Sequence, residues 1–91
     1  MATLHMDVET ARGAQSNMVN THQQLVSLLQ SMTSTVNGLQ SAWMGNSATE
    51  FFNLYEQWKS NMNTTLENLN NMAAKLQAEI NEWEQMASKL A

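Results

Sequence analysis

Apolar residues recur along the chain at alternating steps of three and four, the spacing that lays one stripe down a helix. A first stripe runs Leu4, Val8, Ala11, Gln15, Met18, His22, Leu25, Leu29, Met32, Val36, Leu39 and Trp43, with only Gln15 and His22 polar. A second runs Ala48, Phe52, Tyr55, Lys59, Met62, Leu66, Leu69, Ala73, Leu76, Ile80, Trp83, Ala87 and Leu90, with only Lys59 out of place. The pattern predicts two long helices, at about 5–42 and about 48–89, in a single helical-hairpin domain over residues 1–91.

Between the stripes, at about 43–47, signals that end and start helices coincide. Gly45 is placed to close helix one in a left-handed conformation without a Cβ clash. Ser47 and Glu50 have the spacing of a capping box for helix two, and the Glu50 carboxylate also suits the positive helix end. A turn this short makes the helices antiparallel. Each helix of about 40 residues would be about 60 Å long at 1.5 Å per residue, which describes a rod with little interior.

Apolar residues remain off the seam: Phe51, Leu54, Trp58, Met72 and Met86 on helix two, and Val19, Val26 and Leu28 on helix one. Most repeat at the heptad interval, as a second contact surface would. The expected fold is all-α, an antiparallel two-helix hairpin pairing into a four-helix bundle as a dimer, with Phe51, Leu54, Trp58, Met72, Met86, Val19 and Val26 at the interface.

Composition agrees with this reading. The 91 residues contain no proline and three glycines, few helix breakers for their length. A chain this short buries a modest share of its surface when folded alone, so help from a partner is plausible. No apolar run approaches the roughly 18–20 residues that span a bilayer. Net charge is −4, which disfavours nucleic acid and anionic lipid, so neither nucleic-acid nor membrane binding is expected. No charged residue lies between Arg12 and Glu50, a span suited either to an uncharged wet face or to a surface lying against protein.

The chain has no cysteine, hence no disulfide, thiol nucleophile or thiolate metal site. His5, Asp7, Glu9 and His22 offer no third donor on a shared face, so no metal and no cofactor is expected. A thin rod lacks the concavity that catalysis needs, and no enzymatic activity is expected. His22 reads as a seam histidine that helps fix register, and Met18, Met32 and Met62 as seam filling.

The segment from Gly38 to Phe52, with Trp43, Met44 and Gly45 at its centre, resembles the middle of the hundred-residue WXG family, the Esx-like substrates of type VII secretion. Chain length, the midpoint position of Trp-Xaa-Gly and the two stripes extend the resemblance over essentially the whole chain. It implies a hairpin that dimerises with itself, the favoured reading, or with a related WXG protein. It also implies engagement by a type VII secretion ATPase, with Trp43 and Gly45 shaping the turn. Such a protein is cytoplasmic before export and then secreted or held at the cell surface. The Met1–Asp7 segment lacks the basic and apolar regions of a conventional signal peptide, so export would follow a signal-peptide-independent route. The family's C-terminal Tyr-Xaa-Xaa-Xaa-Asp/Glu signal has no counterpart: Tyr55 is followed four places on by Lys59, and Trp83 by Ala87. Without the resemblance, the residues fit equally a cytoplasmic structural or regulatory hairpin module.

Overall fold

The computed structural model describes residues 5–90, with side chains through Ser88. Leu4 and the Leu90 side chain, at the outer ends of the two stripes, lie outside the described residues. The fold is all-α: α1 spans Val8–Gln40 and α2 spans Asn46–Leu90, packed as an antiparallel hairpin. Its dimensions are 68 × 24 × 15 Å and its radius of gyration is 20.4 Å. A compact chain of this length would have a radius near 12 Å, so the molecule is a rod. Among the described residues, no helix is long and apolar enough to cross a membrane.

Both ends of α1 and the start of α2 differ from the expected positions. α1 begins at Val8, not near residue 5, because Asp7 takes an extended conformation and accepts the Thr10 N–H at 3.2 Å. An aspartate just ahead of an apolar periodic run is a start signal, and here it outweighs the stripe's continuation to Leu4. α1 ends at Gln40, where Ala42 N–H bonds Leu39 O at 3.0 Å and the Ser41 hydroxyl donates to Gly38 O at 2.8 Å. These tighter bonds satisfy carbonyls that a continuing helix would have used.

Gly45 does adopt a positive φ, +112°, but it starts α2 and does not close α1. Its carbonyl accepts the Thr49 N–H at 3.1 Å and the Thr49 hydroxyl at 3.3 Å. Ser47 consequently lies inside the first turn of α2, and no hydrogen bond joins it to Glu50. The expected capping box is not formed, because glycine takes the cap position two residues earlier.

Among the described residues six are buried: Val36, Ala48, Tyr55, Leu66, Ala73 and Ile80, all from the two stripes. Of these, Ile80 is fully covered. On α1 the seam centres on the heptad row Gln15, His22, Leu29 and Val36. The row Met18, Leu25, Met32 and Leu39 forms one shoulder, and Val19, Val26 and Thr33 the other. Met32 is therefore 46% exposed, not seam-buried, while Thr33 shares a hydrogen bond of 2.5 Å with the Tyr55 hydroxyl across the hairpin. Lys59 stays half-buried by laying its stem along the seam, its ammonium 6.0 Å from the Tyr55 ring centre and 3.7 Å from Glu56.

Candidate interaction surface

Two shoulders of a hairpin need not be alike, and here they differ in chemistry. On one, Phe51, Leu54 and Trp58 rise from the first turns of α2 beside Met32 of α1. Trp58 also borders a groove of about 380 Å³ with Leu25, Leu28, Met32 and Met62. Leu28 and Leu54 are each 64% exposed, and Phe51, Trp58 and Met72 also stand out of the seam. Further along the same heptad row of α2, Met72 lines an apolar groove with Met18 and Leu76, flanked by Lys75 and Glu79. Met86, in the same row, is exposed as well.

The aromatic residues at the turn end brace one another. Trp43 is half-buried, with its ring centre 5.5 Å from Phe51 and 5.8 Å from Phe52, and Phe51 and Phe52 meet edge to face at 5.4 Å. Tyr55 and Trp58 are 5.8 Å apart. Such packing holds large side chains in place before any partner arrives, which lowers the entropy lost on binding. Met44 projects freely at the tip, 90% exposed.

The opposite shoulder carries Val19 and Val26, in the heptad row that begins at Arg12. Val19 borders a small groove with His22, Gln23, Asn70 and Ala73, and Arg12 forms an ion pair with Glu84 across the helices. This shoulder is mixed and polar. The expected interface set therefore divides: Phe51, Leu54, Trp58, Met72 and Met86 share one face with Leu28, and Val19 and Val26 stand on the other. Heptad spacing alone is the same for both sets, so only the packed hairpin separates them.

Several charged groups have local partners. Glu79 accepts from Lys75 at 2.9 Å, which lowers the Glu79 pKa and raises that of Lys75. Asp7 is held below its ordinary value by the Thr10 N–H it caps. Among the described residues no group of three or more His, Asp or Glu side chains could hold a metal ion.

The hairpin, with Trp43-Met44-Gly45 at its turn, is matched over residues 3–86 by the sequence model of WXG100, described as proteins of 100 residues with WXG. The chain belongs to the WXG100 family. Neither the curated proteins nor the solved structures contain a match to it. WXG100 proteins are small, non-enzymatic helical proteins that generally form dimers and are typically secreted. In this WXG100 chain the Trp and Gly of the signature have separate jobs. Trp43 packs on the start of α2, and Gly45 supplies the backbone conformation that starts it.

Proposed function

We propose that the chain is a secreted helical-hairpin protein that acts by protein–protein interaction, as a dimeric substrate or co-export partner of a type VII secretion system. The observation that carries the reading is the exposed apolar face of Leu28, Met32, Phe51, Leu54 and Trp58, with Met72 further along the same row, on a hairpin with almost no interior. The accessible surface of 6999 Å² exceeds by roughly 1,700 Å² what a compact monomer of 10.2 kDa exposes. A standard interface covers about 800 Å² on each partner, so pairing on this face fits within the excess. The pairing is with a second copy or with a related WXG protein, and the resulting bundle is the form the secretion ATPase engages.

Following an epitope-tagged chain in the culture medium of a host with and without the type VII ATPase gene tests the export. Appearance outside the cell only when the gene is present is the expected result. Retention inside the cell in both hosts, with the dimer intact, would favour a cytoplasmic hairpin module.

A further inference from the structure

Sulfur in this chain is all thioether: eight of the 91 residues are methionine and none is cysteine. The thioethers gather on the apolar shoulder. Met18 and Met72 border one of its grooves, and Met32 and Met62 border the other beside Trp58. Met32 and Met72 reach solvent there, at 46% and 55% exposed. Leucine and methionine alternate in the α1 row Met18, Leu25, Met32, Leu39, so apolar contact by itself does not call for sulfur at these positions.

Resting on the dimer reading above, we propose that Met32 and Met72 are oxidative modification sites. A peroxide converts them to sulfoxides while the hairpin is unpaired, and the oxidised shoulder no longer pairs.

With hydrogen peroxide the Sδ lone pair attacks one oxygen, a new S–O bond forms and the O–O bond breaks. The departing oxygen takes up the proton of the transferred one and leaves as water. Sulfur is oxidised by two electrons and the peroxide is reduced by two, so no other reactant is needed. The flexible apolar side chain becomes a polar one with a strong acceptor.

The surroundings make that change costly once the face is covered. Two of the polar groups bordering the grooves are already committed, the Thr35 hydroxyl to Ser31 O at 3.1 Å and the Lys75 ammonium to Glu79 at 2.9 Å. Apolar side chains of a partner would strip water from each sulfoxide without replacing its hydrogen bonds. In a pair of copies both protomers carry this cost. Access to the two sulfurs is closed by the contact they help to make, so pairing protects them and oxidation draws on the unpaired hairpin. Met44, at the tip and off the shoulder, is an internal reference that pairing does not shield.

Hydrogen peroxide added to the full chain below and above its dimer Kd, with sulfoxides at each methionine counted by peptide mass spectrometry, tests the protection. Met32 and Met72 should react about tenfold more slowly in the concentrated sample, and Met44 equally in both. Sedimentation equilibrium of the oxidised chain should show Kd raised about tenfold or more, and methionine sulfoxide reductases should reverse the change. A chain carrying Met32→Leu and Met72→Leu, a nearly volume-conserving exchange, should pair as wild type does and continue to pair after peroxide, although its Met44 is oxidised. Circular dichroism accompanies each sample. Sulfoxides at Met32 and Met72 with an unaltered Kd would overturn the inference and leave the dimer standing. Equal loss of pairing by the double variant would also overturn it, because the sensitive group would then lie elsewhere. So would a loss of helicity on oxidation, which would locate the damage in the hairpin itself. A wild-type chain that is monomeric before any oxidant is added would remove the dimer reading, and this inference with it.

Discussion

Leu54→Ala should break the dimer while leaving the hairpin nearly untouched. Leu54 is 64% exposed in the hairpin, so most of its side chain gains nothing from the fold of a single chain. Fully burying a leucine is worth about 1.5–3 kcal/mol, and the part still outside is worth roughly 1–2 kcal/mol. Truncation to alanine keeps the Cβ, so about 1 kcal/mol is lost per protomer. A symmetric dimer contains the position twice, giving a loss of about 2 kcal/mol, or roughly 30-fold in Kd. Sedimentation equilibrium of wild type and variant over a range of concentrations measures this directly. Met44→Ala, at the tip and 90% exposed, serves as the control and should leave Kd unchanged. A Leu54→Ala chain with normal helicity and an unaltered Kd would refute the placement of the interface on this face.

The turn and the caps give three further tests. Gly45→Ala should destabilise by about 1–2 kcal/mol because φ is +112° there, whereas Gly38→Ala, with nothing within 4 Å of its added Cβ, should stabilise by about 0.5–1 kcal/mol; thermal melts at one fixed protein concentration compare them, and equal melting points would contradict the backbone argument. Tyr55→Phe removes the hydroxyl shared with Thr33 and should cost about 1 kcal/mol in denaturant unfolding, with most of that loss absent when Thr33→Val is already present. The Asp7 carboxylate has its pKa lowered by the Thr10 N–H, so its contribution is present above the unfolded value of about 3.9 and fades as pH falls through the lower folded value. Asp7→Ala should therefore shrink the acid-induced loss of stability in that window, and an unchanged pH profile would deny Asp7 its capping role.

The hairpin was legible in the sequence because a three–four apolar step has one structural reading over so long a run, and because a break with glycine interrupts it once. What the step cannot say is which row of the stripe points straight at the partner helix. Met32 and Thr33 are neighbours that could each continue the seam, and hydrophobicity favours Met32. The structure instead turns Thr33 inward, where Tyr55 satisfies its hydroxyl, and leaves Met32 on the shoulder. The polar partner was invisible because it lies on the other helix. Val19 and Val26 part from the α2 set for a related reason: two rows with identical heptad spacing go to opposite faces, and only the handed packing of α1 on α2 assigns them. The Ser47–Glu50 pair has the right spacing for a cap but loses to Gly45, whose carbonyl opens the helix first.

The seam and the apolar shoulder share side chains, and this links stability to association. Met32 lines both grooves beside Trp58, and Trp58 stacks near Tyr55, one of the six residues buried among those described. Covering that shoulder therefore also shields the upper part of the core from water. A partner that binds only the folded hairpin raises its stability with concentration by mass action. The open end, where Ile80 is fully buried and Arg12 clasps Glu84, depends less on this help. Hydrogen exchange at increasing protein concentration should consequently slow most for the amides around Tyr55 and Trp58 and least for those around Ile80. Uniform slowing along both helices would mean that folding and pairing form one indivisible step, and that the turn half has no separate dependence on the partner.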